Sequence, residues 1–313
     1  MTPPPPVEVA LLAPSPILTV TLERGAEEPE LHLHAGGQGF WVARMLRGLG
    51  VEVGFCAPLG GETGTVLGTL LEEAGLVLDA VETRAPNGSY VHDRRGNEGL
   101  VTIAETSSPR LSRHEADALF AAMLSASLDC GVAALTGPRS PGLVSGDFYR
   151  RLARDLTRNG CIVAADLSGE ALRAAVEGGL DLLHLSEREL GTHVGGLPAD
   201  TAGMVRAIER LRVNGARQVL VSRGPLPALA LLDDGLFEVV GPVFEPLEHR
   251  GPGDSMFAAI VASLARGRPV AEALRLGAAA GALNATRRGL GSGTRQDVER
   301  LARSVELRPL KPA

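Results

Sequence analysis

The segment with most chemistry in it is Arg250-Gly251-Pro252-Gly253-Asp254-Ser255, followed at once by the apolar run Met256–Val261. A glycine-rich turn that opens a helix points backbone N–H groups and the positive end of the helix dipole at one spot, which suits a phosphoryl group. Asp254 stands at that mouth. Its carboxylate could take a proton from a substrate hydroxyl while the amides stabilise charge on a transferred phosphoryl. The same residues are also explained if Asp254 or Ser255 is only an N-cap after a flexible turn. A second glycine-rich turn, Ala35-Gly36-Gly37-Gln38-Gly39, links a strand to a helix containing Val42, Ala43, Met45 and Leu46. It could cradle a ligand or serve as a hinge. It is no dinucleotide fingerprint, because Val42 occupies the third glycine position of G-x-G-x-x-G counted from Gly37.

What the chain lacks narrows the chemistry. Of 31 basic residues only Lys311 is lysine, which excludes a Walker-type loop, a protein-kinase strand lysine, a Schiff base and a lysine general base. Phosphate chemistry here must rely on backbone amides, arginine or metal. A net charge of −6 without a dense basic run argues against nucleic acid. Cys56, Cys130 and Cys161 are widely spaced in apolar stretches and read as reduced core residues. The proline-rich Met1–Pro6 lacks a signal-peptide pattern, and no apolar run reaches the roughly 18 residues of a membrane span. The expectation is a cytoplasmic protein, bound neither to membrane nor to nucleic acid, whose partner is a small-molecule substrate.

These turns must be held by an α/β scaffold. At 313 residues and 44% hydrophobic content the chain suits one large core. Strand-like runs at Val7–Leu12, Val51–Phe55, Val132–Leu135, Cys161–Ala165, Leu180–Leu185, Gln218–Ser222 and Ala228–Leu232 alternate with helical periodicity at Phe40–Leu49, Thr63–Ala74, Ser112–Leu128, Gly146–Asn159, Ala202–Val213, Ser255–Arg266 and Val270–Asn284. That alternation predicts a largely parallel sheet between helical layers. Ile17–Leu22 with Leu31–His34, and Ser89–His92 with Leu100–Ala104, fall outside the rhythm and predict a small β appendage, the second pair a hairpin around residues 93–99. His32 and His34 share one face of a strand, as a metal pair or as solvent-facing residues.

The order of these motifs resembles the ribokinase-like (PfkB) carbohydrate kinases, nearest the branch of 1-phosphofructokinase and tagatose-6-phosphate kinase, over nearly the whole chain. Residues 35–46 match the first sugar-binding signature, and Gly251-Pro252-Gly253-Asp254-Ser255 matches the anion hole and catalytic aspartate. Leu135-Thr136-Gly137-Pro138, Asp147-Phe148-Tyr149, Asp166–Leu172 and Val221-Ser222-Arg223-Gly224 are similar in order and spacing. The resemblance implies a single ribokinase-like α/β/α sandwich over residues 1–313, with β lid segments at about 17–34 and 89–104. It implies an ATP- and Mg²⁺-dependent kinase of a sugar or sugar phosphate, with a homodimer through the lid as a further partner expectation. Asp254 would be the base and Gly251, Gly253 and Asp254 amides the anion hole. Gly36, Gly37, Gln38 and Trp41 would bind substrate. Ser222, Gly224, Ser255 and Asn284 would serve ATP, Asn284 equally well as a helix-surface or cap residue. Glu189 would organise metal-bound water.

Departures from the family pattern are equally specific. Gln38 replaces a lysine, Trp41 an asparagine and Ser186 an asparagine. Pro252 replaces a residue that donates its N–H. Gln38 therefore predicts a preference for unphosphorylated acceptors, and Pro252 a weakened anion hole. Trp41 stacks on a ligand or packs under the lid. The rival functions are a kinase-derived binding protein with little catalysis and a nucleoside kinase of the same fold.

Overall fold

Alternating residues of the first strand, Val9-Ala10-Leu11-Leu12, are all fully buried, so the strand needs apolar cover on both faces, as a parallel sheet does. The structure, a computed structural model, describes residues 6–96, 100–245, 247, 250–287 and 289–310. Lys311 and the part of the predicted hairpin connection at 97–99 lie outside them.

In chain order the first elements are β1 (Val9–Leu12), β2 (Ile17–Arg24), β3 (Pro29–Gly36), α1 (Gln38–Gly48), β4 (Val53–Gly60), α2 (Gly61–Glu73), β5 (Val77–Thr83), β6 (Ser89–Asp93) and β7 (Val101–Thr106). Then come α3 (Arg113–Cys130), β8 (Val132–Thr136), α4 (Gly146–Arg158), β9 (Ile162–Asp166), α5 (Gly169–Gly178), β10 (Leu180–Ser186), α6 (Glu187–Val194) and α7 (Thr201–Val213). The chain closes with β11 (Ala216–Arg223), β12 (Leu226–Leu232), β13 (Gly235–Val240), α8 (Pro252–Ala265), α9 (Val270–Ala285), α10 (Arg295–Ala302) and β14 (Glu306–Pro309).

The large sheet runs β14-β13-β12-β11-β10-β9-β8-β1-β4-β5. From β11 to β5 neighbours are parallel, and β12, β13 and β14 add antiparallel at one end. Val9 and Leu11 join one core layer with Phe257 and Ile260 of α8, while Ala10 and Leu12 join the other with Tyr149 and Leu152 of α4. Helix ends follow local chemistry. Ser112 and Glu115 form a capping box at α3, and Gly131, at φ 77°, ends it in the left-handed region.

The out-of-rhythm strands form a second sheet, β3-β2-β6-β7. It is mixed: β2 pairs β3 antiparallel and β6 parallel. Thr19, Thr21, His32, His34, Tyr90 and His92 share one face; Leu18, Val20, Leu22, Leu31, Leu33 and Val91 share the other.

The sequence pattern leaves β5, β13, β14, α5, α6 and α10 unmarked. β5 and β14 are edge strands that stay largely solvent-facing, so neither carries the apolar run that marks a buried strand. α6 and α10 span only 8 residues each, too few for a helical stripe.

Candidate active site

Brought together at the C-terminal edge of the parallel strands are Thr136 of β8, Asp166 of β9, Ser186 of β10 and Ser222 of β11, in register as Thr136↔Asp166 and Ser186↔Ser222. This is where an open parallel sheet binds ligands, because helix N-termini converge there. A cavity of about 220 Å³ opens at this edge, lined among others by Gly37, Gln38, Gly137, Arg139, Asp166 and Glu189.

Gly251, at φ 82°, caps α8 in the left-handed region, and Pro252 occupies the first turn, where its fixed φ is already helical. Gly253 and Asp254 follow, while the Ser255 N–H already bonds Gly251 O at 2.9 Å. Asp254 is half-buried. Burial, then the neighbouring Asp166 carboxylate, then Glu189 push its pKa up to about 8 against the opposing pull of His184 and a hydrogen bond from Gln38. A carboxyl group poised near neutrality suits a general base.

Gln38 is the first residue of α1 and ties three parts of the site. Its Oε1 accepts Gly137 N–H at 3.0 Å, and its Nε2 donates to Asp166 O at 3.4 Å and to the Asp254 carboxyl. Gly37 precedes it at φ 95°, ψ 156° with Ser15 O 2.5 Å from where a Cβ would stand, so only glycine fits. Gly36 leaves room for Trp41, whose Cζ2 lies 3.8 Å from a Cβ built there. Trp41 is half-buried, edge-on to Phe40 at 5.0 Å and packed on the core. Its packing role is therefore visible directly.

Ser186, standing where the family has asparagine, is the N-cap of α6. Its hydroxyl donates to Glu189 Oε2 at 2.7 Å and accepts Glu189 N–H at 3.3 Å. The cap fixes the Glu189 carboxylate at the cavity wall. Ser222 is half-buried at the end of β11, and Gly224, at φ 58°, is exposed with open space around it. Ser255 is fully buried. Asn284 is neither a helix-surface residue nor a cap: it is fully buried, donates to Arg250 O at 3.2 Å and accepts Gly291 N–H at 2.9 Å. It holds the turn that opens α8 from behind.

Residues that sequence reasoning did not single out complete the site. His184 on β10 bonds Asp166 Oδ2 through Nδ1 at 3.0 Å. Both are buried polar residues flanked by apolar ones, Ala165 before Asp166 and Leu183 and Leu185 around His184, and that contrast was the available signal. Arg139 stacks on the Tyr90 ring at 4.8 Å and pairs with Glu105 at 3.2 Å, bridging the large sheet's side of the cavity to the small sheet. The small sheet's polar face also carries His34 and His92. Burial lowers both pKa values; His32, Arg44 and Arg94 add to this at His34, and Arg250 and Arg94 at His92, against Glu23 and Glu105 respectively. His32 and His34 stack at 6.1 Å, and among the described residues no group of three or more His, Cys, Asp or Glu could hold a metal ion. Cys56 and Cys161 are buried, Cys130 half-buried, and all three are free thiols that burial makes less acidic. Among the described residues no helix is long and apolar enough to cross a membrane.

Comparison with known proteins identifies the family and the fold. The family model described as pfkB family carbohydrate kinase matches residues 12–297. ATP-dependent 6-phosphofructokinase isozyme 2 of Mycobacterium tuberculosis (strain ATCC 25618 / H37Rv) is 29% identical over 266 residues, 85% of this chain and 78% of that protein. The 1-phosphofructokinase of Bacillus subtilis (strain 168) is 27% identical over 274 residues, 88% of each. The solved phosphofructokinase-2 of Escherichia coli in complex with potassium superposes with a TM-score of 0.80 at 25% identity, covering 95% of this chain and 98% of that one.

Proposed function

Because the chain belongs to the pfkB family of carbohydrate kinases, ATP-dependent enzymes that phosphorylate a sugar hydroxyl, we propose that Asp254 is the base of that transfer and the opening turn of α8 its anion hole. The observation that carries this is the Asp254 carboxyl at the first turn of α8, where burial and the charges of Asp166 and Glu189 raise its pKa to about 8. On binding an acceptor hydroxyl, Asp254 takes its proton as the oxygen attacks the terminal phosphorus of ATP and the bond from that phosphorus to the bridging oxygen breaks, ADP leaving with the bridging oxygen. The Gly253 and Asp254 N–H groups, which precede the first bonded amide of α8, face the charge on the transferred group.

The donors present fit Mg²⁺ held largely through water. Glu189 spends only Oε2 on its cap, and such a hard-oxygen site with few protein ligands is what Mg²⁺ bound mainly to phosphate and water requires. Bound there, Mg²⁺ supplies charge neutralisation for the phosphates. Ser222 and Gly224, at the end of the adjoining strand, are the ATP-side residues, and Asn284 acts by fixing the Arg250-Gly251 turn.

The acceptor is a sugar carrying an anionic group. Arg44, Arg94 and Arg250 act on the histidines of the small sheet's polar face, and Arg139 lies at the cavity. Gln38 is engaged with Gly137 and Asp254, so its replacement of lysine bears on the base more than on a distant phosphate. An unphosphorylated acceptor, the preference that the replacement of lysine by Gln38 predicts from the sequence, is the second reading. The small sheet is a lid over this cavity, and its opposite face is a dimer contact, since Leu31, Leu33 and Val101 are 60%, 42% and 50% exposed there. ADP formation from ATP and Mg²⁺ with fructose 6-phosphate, fructose 1-phosphate, fructose, ribose or adenosine tests the base and the acceptor class. Turnover with a sugar monophosphate, lost in Asp254→Asn, is expected; turnover retained in that variant overturns the base assignment.

A further inference from the structure

His184 is 2% exposed, and among the described residues its Nε2 has no hydrogen-bond partner. An imidazole so buried is stable only where something compensates its polar edge. Asp166 does so at Nδ1, at 3.0 Å, inside the apolar strand pair β9–β10. The other ring edge lies against the turn that opens α8: a Cβ on Gly253 would stand 3.4 Å from His184 Cε1. Phe257, one helical turn further on, stacks on the same ring at 6.4 Å. The charged groups facing His184 are Asp166 of β9, Glu189 of α6 and Asp254 of α8; β11 presents Leu220.

We infer that His184, held by Asp166, is a positioning residue for the proposed base: its imidazolium lies beneath Gly253 and offsets part of the negative charge that Asp166 and Glu189 bring to the Asp254 carboxyl. Three carboxylates crowd this corner, and without an internal cation the last to ionise would hold its proton far above neutrality. His184 supplies that cation from below the site, where it touches no substrate. The charge is self-maintaining. Burial alone lowers the imidazole pKa, but the Asp166 carboxylate, with Glu189 and Asp254 beyond it, turns the net direction upward. The coupling is reciprocal, so the ionised Asp254 must raise the affinity of His184 for its proton by as much as His184 lowers that of Asp254.

The inference rests on Asp254 being the base, and its test has one arm that does not. In the first arm, kcat/KM for fructose 6-phosphate with MgATP is followed against pH. His184→Gln keeps a polar side chain beside Asp166 but loses the charge. It is expected to move the acidic limb up by about one pH unit, so that activity is about tenfold lower near pH 6 and recovers above pH 9. A uniform loss at every pH with the limb unmoved marks a structural role and overturns the inference. In the second arm the His184 ring is titrated by NMR on histidine-labelled protein, in the native chain and in Asp254→Asn. Needing neither turnover nor the His184 variant to fold, it reads the coupling alone. Both ring nitrogens are expected to carry protons at pH 7 in the native chain, and the His184 pKa to fall by about half a unit or more in Asp254→Asn. Equal titration in the two proteins, or a neutral ring at pH 7, overturns it. Coupling without any turnover would strike down the kinase chemistry of Asp254 and leave the pair standing.

Discussion

The two glycine turns that open α1 and α8 use one local device and arrive at different chemistry. Each places a positive-φ glycine before the helix, Gly37 at 95° and Gly251 at 82°, and neither helix has a side-chain cap bond. Both therefore leave N–H groups unsatisfied at a helix start, the feature that attracts an anion. At α1 the first side chain is Gln38, whose amide is used up on Gly137, Asp166 and Asp254. At α8 the third residue is Asp254, held among Asp166, Glu189 and His184. A glycine-rich turn supplies amides; the strands behind it decide whether those amides serve a reaction or a scaffold.

The largest effect separating the two turns belongs to Asp254→Asn. Turnover is expected to fall about 10²–10⁴-fold, the usual contribution of a positioned base, with nucleotide binding retained in a fluorescence or calorimetric titration. The same variant should be more heat-stable. A carboxyl whose folded pKa is raised weakens the fold progressively as pH climbs from about 4, its unfolded value, to about 8. Melting temperatures should therefore coincide at pH 4 and differ by several degrees in favour of Asp254→Asn at pH 8. A variant less stable at pH 8 would mean that the carboxylate is paired, not crowded.

Next comes a contrast within the glycines. Gly37→Ala puts a Cβ 2.5 Å from Ser15 O in a region of backbone space that is nearly glycine's alone, and should cost about 3 kcal/mol. Gly251→Ala meets Leu290 Cδ2 at 3.1 Å and Asn284 Nδ2 at 3.2 Å, side-chain atoms at a looser distance than the Ser15 carbonyl at Gly37, and should cost about 1–2 kcal/mol. Denaturant unfolding of the two variants measures the difference, and the reverse order would contradict the tighter setting of the first turn.

Asn284→Ala removes the buried side-chain bond to the Gly291 N–H and the part-buried one to the Arg250 C=O. A loss of about 2 kcal/mol follows, with a several-fold rise in KM for ATP and little change for the acceptor. An equal rise in both constants would show that Asn284 supports the whole site and not the α8 turn alone.

Pro252→Ala is the smallest. It returns one N–H to the donors at α8 but frees a φ angle that proline holds ready for the helix. Since Gly253 and Asp254 already offer amides there, kcat should rise less than about tenfold. A gain near a hundredfold would mean that the first position is the main donor.

Much of this was legible in the chain. Residues 17–22, 31–34, 89–92 and 100–104 fall outside the βα rhythm, and the structure puts them in the separate small sheet. The Gly251–Ser255 turn reads as the start of a helix, and α8 begins there. Edge strands such as Val77–Thr83 were not legible, because their half-exposed faces carry Asp79 and Glu82 instead of an apolar run. Asn284 was not legible either, since a polar residue near a helix end has the same sequence pattern whether it faces water or a buried loop.

The order of elements, the absence of internal lysine and the turn bearing Asp254 belong to the sequence by itself, because periodicity and residue type act over a few neighbouring positions. Only the tertiary structure decided what surrounds Asp254. Asp166, His184 and Glu189 lie far along the chain from it and meet it because parallel strands end at one edge, with the N-terminus of α8 beside them. Charge and burial act through space, so the state of a carboxyl is set by neighbours that no local pattern can name.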